Sequence, residues 1–207
     1  MKVHPNLYNF EEEYSNKGYK YIAGTDEAGR GPLAGPVFAA AVILNKDDKI
    51  PGLFDSKQLT KKEREVLYEE IKKHALSYSV VMISANEIDK INILEASRKG
   101  MEQAILNLKI KPDFILTDFM DLKNTGISYL KLVHGDALSA SIGAASIMAK
   151  VERDQYMDEM DKTYPGYGFS ENKGYPTKKH KEALMKLGPS PIHRLSYKPV
   201  KDSIDHK

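Results

Sequence analysis

The 207-residue chain has no cysteine, which excludes disulfides, thiolate catalysis and cysteine-based zinc sites. Its histidines fall at positions 4, 74, 134, 180, 193 and 206, without the close helical spacing of a zincin, so a zinc enzyme is not expected. Long hydrophobic runs are lacking too. The longest, Val37 to Leu44, is far shorter than the roughly 20 residues a membrane span needs. Met1 to Asn16 is polar and carries Glu11, Glu12 and Glu13 where a secretory signal has its apolar core. The expectation is a soluble, cytoplasmic protein. Charge of one sign is not in excess either: 31 Lys and Arg stand against 29 Asp and Glu, a balance that neither demands nor excludes nucleic acid.

The distribution of charge says more than its sum. From Asp161 onward there are ten Lys or Arg and five Asp or Glu, with five Tyr and Phe interleaved between Tyr164 and Tyr197. Such a segment suits a nucleic-acid backbone, and equally describes a solvated tail.

Patterning predicts the elements. Tyr19–Thr25 is short and β-prone, followed by a Gly- and Pro-rich turn from Gly29 to Pro36 and then Val37–Leu44, most simply an antiparallel pair. Thr60 and Glu63 form a capping-box pattern before Leu67, Ile71 and Ala75, predicting an amphipathic helix, with a strand from Tyr78 to Ile83 after it. Ser84 and Glu87 repeat the capping pattern ahead of one long helix carrying Leu94, Met101, Ile105 and Leu108, closed by Pro112. Phe114–Thr117 and Ser128–Val133 are predicted strands. Residues 139–153 are small and helical, with Ile142, Ala145, Ala149 and Arg153 on one stripe. Beyond Tyr164 the chain is punctuated by Gly and Pro, with a short helix predicted from Thr177 to Leu187 and a frayed tail from Asp202. This order implies an α/β protein: a mixed sheet flanked by helices, with a loop-rich C-terminal appendage.

The chemistry is expected where acids interrupt apolar segments. Asp26 and Glu27 end the first predicted strand, Asp118 ends the fourth, and Asp136 follows the fifth. Carboxylates at strand ends can converge on one sheet edge, where they repel one another unless cations neutralise them. Hard oxygen ligands without Cys or paired His select Mg2+ or Mn2+. Two such ions roughly 4 Å apart suit in-line phosphodiester hydrolysis. Taken singly, each acid also reads as a turn former or helix N-cap, Asp136 most of all because a helix follows it. The Gly29-Arg30-Gly31 turn reads either as a tight connection or as backbone N–H groups and a guanidinium presented to phosphate or ribose. Three functional classes stay open on the residues alone: a metal-dependent nuclease, another phosphoryl-transfer or phosphatase activity, and a noncatalytic nucleic-acid-binding module.

The stretch from Gly24 to Val37, Gly-Thr-Asp-Glu-Ala-Gly-Arg-Gly-Pro-Leu-Ala-Gly-Pro-Val, resembles the opening signature of ribonuclease HII. Further pieces follow in that family's order: Asp55-Ser56-Lys57-Gln58-Leu59, Leu116-Thr117-Asp118, Gly135-Asp136, the run from Ala144 to Asp154, Tyr164 to Phe169, Asn172 to Tyr175 and Pro191-Ile192-His193-Arg194. The resemblance covers roughly residues 19 to 198. It implies an RNase H-like five-stranded mixed sheet flanked by helices with a C-terminal helical and loop extension. The implied division is an N-terminal extension 1–18, a catalytic domain 19–160 and a substrate-binding extension 161–207 packed on the same body. It further implies an endonuclease that cuts the RNA of RNA–DNA hybrids and incises 5′ to a ribonucleotide–deoxyribonucleotide junction. Its metal-binding and catalytic carboxylates fall on Asp26, Glu27, Asp118 and Asp136, for Mg2+ or Mn2+. Gly29, Arg30 and Gly31 would meet the ribonucleotide 2′-hydroxyl, the feature that separates RNA from DNA. Tyr175, with Tyr164 and Tyr167 nearby, would pack on the following deoxyribose, and Lys57, Ser146 and Lys150 are candidate phosphate contacts. The implied partners are hybrid duplexes and ribonucleotide-containing DNA, and a monomer is the default. The chain departs from the family pattern at Val133-His134 and at Phe119-Met120. Ribonuclease HIII, the sister group, has an added N-terminal domain and lacks the Gly-Arg-Gly turn, so the pattern resembles HII.

Overall fold

The structure is a computed structural model and describes residues 7–53 and 59–205. Lys57 and its neighbours from Phe54 to Gln58 lie outside the described residues. Five strands make one sheet in the order β3-β2-β1-β4-β5: β1 Ile22–Ala28, β2 Val37–Ile43, β3 Ser77–Ile83, β4 Phe114–Asp118 and β5 Tyr129–Leu132. β1 pairs antiparallel with β2, and β2 with β3, whereas β4 runs parallel to both β1 and β5. The expected mixed sheet is therefore present.

Eight α-helices surround it among the described residues: α1 Asn9–Asn16, α2 Lys61–His74, α3 Ala85–Ile91, α4 Ile93–Leu106, α5 Ala140–Thr163, α6 Phe169–Asn172, α7 Lys178–Leu187 and α8 Lys198–Asp205. β2 is buried along its whole length and rich in alanine because helices cover both its faces. On one face Ala39, Ala41 and Ile43 meet Met101, Ala104 and Ile105 of α4. On the other, Phe38, Ala40 and Val42 meet Ala144, Ala145 and Met148 of α5. The small residues of α5 let it lie unusually close to the sheet. A Cβ added at Gly24 in β1 would fall 2.1 Å from the Ser141 carbonyl carbon, so any side chain there would drive strand and helix apart.

The structure differs from the pattern-based expectation at several elements. β1 does not stop before Asp26 but runs to Ala28, pairing Asp26 with Ala40 and Glu27 with Ala39. The two acids therefore belong to a rigid strand rather than to a turn. The long helix expected after Ser84 is two helices, broken at Asn92, whose φ of 67° turns the chain and whose side-chain oxygen accepts from the N–H groups of Leu94 and Glu95. At Ser84 only half a capping box forms, because Glu87 turns to Lys99 instead. The Thr60–Glu63 box is complete. α1 was not signalled by the sequence pattern, and the supposed C-terminal tail is largely α8, with Val200 and Ser203 buried.

Candidate active site

The register of β1 and β4 places Thr25 opposite Thr117, so Asp26 and Asp118 stand one step further along neighbouring strands. Both side chains fall on the face covered by α5 because strand residues alternate. Asp26 is only 6% exposed. Burial lifts its carboxyl well above the ordinary range, and the charges of Glu27 and Asp118 push it further. Hydrogen bonds from Ser146 of α5 and from the Glu27 N–H (2.7 Å) pull the other way. Glu27 is raised in turn, first by burial and also by Asp118, against the opposing pull of Arg30, whose Nη1 lies 3.3 Å from its Oε1. The second oxygen, Glu27 Oε2, is buried with no hydrogen-bond donor among the described residues.

Asp118 reaches the fourth acid through the backbone. Its Oδ1 accepts from the Gly135 N–H at 2.7 Å. Asp136, the next residue, is 2% exposed and sits in a one-turn 3-10 helix, Gly135–Ala137, just ahead of the Ser139 cap of α5. Asp26, Glu27 and Asp118 thus act on one another electrostatically, and Asp136 is tied to them through the backbone of Gly135.

The donor set suits a hard divalent cation: carboxylate oxygens, one of them without a donor, and no His or Cys among them. Among the described residues no three Asp, Glu or His side chains stand close enough together to hold a metal ion by themselves, so the four acids do not form the single cluster expected. A Mg2+-type site needs only one or two protein carboxylates, the remaining ligands being waters and substrate phosphate.

Beside the acids lies the Gly29-Arg30-Gly31 turn. Arg30 is exposed, while the turn beneath it is pinned by two buried arginines whose role the sequence pattern does not reveal. Arg194 donates to the carbonyls of Gly29, Arg30 (2.8 Å) and Gly35 (3.0 Å), and Arg153 donates to those of Pro36 (3.1 Å) and Ala34 (3.2 Å). Burial and the neighbouring Arg194 charge bring the Arg153 pKa down to about 10. Such fixed forks align carbonyls that would otherwise be orphaned inside the fold.

Tyr175 stands next to this turn: a Cβ on Gly31 would lie 3.5 Å from its ring, and the residue is 42% exposed. The other candidate tyrosines face elsewhere. Tyr167 is buried and donates to the Gly188 carbonyl at 2.7 Å, and Tyr164 packs in the cluster around Met157. The Tyr175 backbone is set by a buried pair of histidines. Ser190 N–H donates to His193 Nδ1 (2.9 Å), so the His193 proton is on Nε2 and points at His180 Nε2 (3.1 Å), leaving His180 Nδ1–H to donate to the Tyr175 carbonyl (2.9 Å). This sequence of donors requires both rings to be neutral. Burial holds both pKa values down, that of His193 to about 4. His193 belongs to the Pro191–Arg194 run, but its pairing with His180, 13 residues away, comes only from folding. Of the proposed phosphate contacts, Ser146 bonds to Asp26, and Lys150 pairs with Asp154 at 2.6 Å.

The sheet order and its covering helices are those of the ribonuclease H fold. Ribonuclease H2 from Pyrococcus horikoshii superposes with a TM-score of 0.80 at 27% identity, covering 90% of this chain and 98% of that one. The ribonuclease HII in a complex with PCNA from Archaeoglobus fulgidus gives 0.75 at 27%, covering 88% and 96%. Bst-RNase HIII crystallised with Mn2+ shares the fold alone, at a TM-score of 0.70 and 15% identity, covering 89% and 69%. The family model described as Ribonuclease HII matches residues 23–200. Ribonuclease HII of Acholeplasma laidlawii is 57% identical over 92% of this chain and 94% of its own length, and that of Endomicrobium trichonymphae 54% over 96% and 95%. The chain belongs to the ribonuclease HII family. It is a type 2 ribonuclease H, a divalent-metal-dependent nuclease acting on the RNA strand of RNA–DNA hybrids. Among the described residues, no helix is long and apolar enough to cross a membrane.

Proposed function

We propose that this enzyme, besides cutting hybrid RNA, incises duplex DNA at embedded ribonucleotides, 5′ to the RNA–DNA junction on the 3′ side of the ribonucleotide, leaving 5′-phosphate and 3′-hydroxyl ends. The observation that supports this reading most is the placement of the coupled acids Asp26, Glu27 and Asp118 beside the pinned Gly29-Arg30-Gly31 turn, with the Tyr175 ring against Gly31.

Asp26, Glu27, Asp118 and Asp136 are the residues to hold the metal. Two ions bound there, Mg2+ or Mn2+, would supply an activated water and charge neutralisation at the scissile phosphate and leaving oxygen for an in-line displacement. The protein does the rest. Its acids, fixed on strands and in a short helix, hold their oxygens in place before substrate arrives. Ser146 and the Glu27 N–H orient Asp26. The Gly29-Arg30-Gly31 backbone meets the 2′-hydroxyl, and the exposed Arg30 side chain faces phosphate. The Tyr175 ring packs on the deoxyribose that follows, a face on which a further 2′-hydroxyl is poorly accommodated. Lys57, Ser146 and Lys150 serve the phosphate backbone, Lys150 by exchanging its partly exposed pair with Asp154. The basic, aromatic segment 161–207 acts as the substrate-binding extension of the 19–160 catalytic domain, and 1–18 as an N-terminal extension. The enzyme works as a monomer in the cytoplasm.

A gel comparing all-DNA, all-RNA, hybrid and single-ribonucleotide duplexes tests the proposal. Cleavage of the hybrid and a single cut 5′ to the junction in the mixed duplex are expected with Mg2+ or Mn2+. Hybrid cleavage without junction incision would refute the junction reading. Metal-independent binding without turnover would favour the noncatalytic alternative.

A further inference from the structure

Phe119 directly follows Asp118 and is the most exposed large apolar side chain among the described residues, at 68%. Its backbone is left-handed, with φ at 50°, a conformation that bulky L-residues avoid. The peptide is held there by its N–H, which is shared between the carbonyls of Thr117 and Leu132, each at 3.1 Å. His134, also left-handed, and the exposed Val133 stand at the facing corner of β5. Lys131 Nζ, paired with Asp121 Oδ1 at 2.6 Å, lies 5.9 Å from the centre of the Phe119 ring. The fold therefore accepts backbone strain to present an aromatic ring to solvent rather than to the core. Strain maintained without a packing return points to a role outside the folded core.

We infer that Phe119 is a substrate-binding residue, its ring packing on the sugar–base face of a nucleotide next to the scissile phosphate. The partner follows from position: Phe119 is one residue from an acid of the candidate site, and aromatic rings beside a cation are a common platform for nucleotides. This inference rests on Asp118 belonging to the catalytic site.

The test uses the opposite signs that strain and binding give to one substitution. Phe119→Gly removes both the ring and the steric penalty of a left-handed residue. Its Tm is expected to be unchanged or raised by about 2–4 °C. Its KM for a single-ribonucleotide duplex is expected to rise roughly ten-fold with kcat little changed. Phe119→Tyr should restore KM. In an Asp118→Asn background, which preserves the duplex, 2-aminopurine placed next to the ribonucleotide should change fluorescence on binding when Phe119 is retained, and should not when Phe119→Gly is added. An unchanged KM in Phe119→Gly would overturn the inference. So would a lowered Tm together with weaker binding, since the ring would then be supporting the fold. Full activity of Asp118→Asn alone would instead overturn the underlying site assignment, so the two failures are distinguishable.

Discussion

Asp118 Oδ1 accepts the Gly135 N–H at 2.7 Å, and this one bond couples the end of β4 to the segment carrying Asp136. Asp118 thus has two tasks, charge and alignment, that substitution can separate.

Asp118→Asn keeps an oxygen for Gly135 and removes the charge. Single-turnover cleavage should fall at least about 10²–10³-fold, the equivalent of about 3–4 kcal/mol. Duplex affinity should change little, since phosphate backbones are held by basic and amide groups. Asp118→Ala also strands the buried Gly135 N–H, which costs about 1–3 kcal/mol in urea unfolding. Full cleavage by Asp118→Asn would remove Asp118 from the catalytic set.

Asp26 makes the site unstable by itself. Its folded pKa is raised, so the native state binds more protons than the unfolded state, and metal-free stability falls as pH rises through the carboxylate range toward that raised value. Asp26→Asn, with divalent ions chelated at pH 7, should raise Tm by roughly 2–8 °C and abolish cleavage. The difference should close as acid protonates Asp26. Added Mg2+ should raise the wild-type Tm and leave that of the variant almost unmoved. Equal Tm values in chelator would show that Asp26 carries no such strain.

The His180–His193 pair has the opposite linkage to that usual for paired histidines. Both folded pKa values lie below the unfolded value of about 6.5, so the unfolded chain takes up protons first as pH falls. Their contribution is complete above about pH 7 and is lost between about 6.5 and 4, on the order of 3 kcal/mol for His193. Urea unfolding across this window should show the loss. His193→Asn keeps an acceptor for the Ser190 N–H but cannot be protonated, and should flatten the dependence relative to wild type. Parallel curves for the two proteins would assign the pH effect to other groups.

Two glycines of one turn should behave differently. Gly29 has φ at 99°, and a Cβ there would lie 2.0 Å from Arg153 Nε, inside the buried fork that holds Ala34 and Pro36. Gly29→Ala should destabilise by about 2–4 kcal/mol. At Gly31 the nearest atom to an added Cβ is in the Tyr175 ring at 3.5 Å, an ordinary contact. Gly31→Ala should fold with a near-normal melting curve yet lower kcat/KM on a single-ribonucleotide duplex, because the methyl enters the gap between turn and tyrosine. Wild-type kcat/KM in Gly31→Ala would place the ribonucleotide elsewhere.

Sequence alone determined the elements whose pattern is local: the alternation and apolar runs behind the five strands, the Thr60–Glu63 box and the small-residue stripe from Ile142 to Arg153. It missed the break at Asn92, because a left-handed residue within a helical pattern leaves the periodicity almost intact. It also stopped β1 short of Asp26, because charged residues in a strand read as its end until β2 is known to pair with them. Only the tertiary structure decided that Asp26, Glu27 and Asp118 share one field, that Tyr175, already favoured by the resemblance, stands against the turn, that Arg153 and Arg194 hold that turn, and that His180 and His193 hold the Tyr175 backbone. Charge coupling and hydrogen-bond forks depend on distance in space, and the chain order of residues far apart in sequence does not specify it.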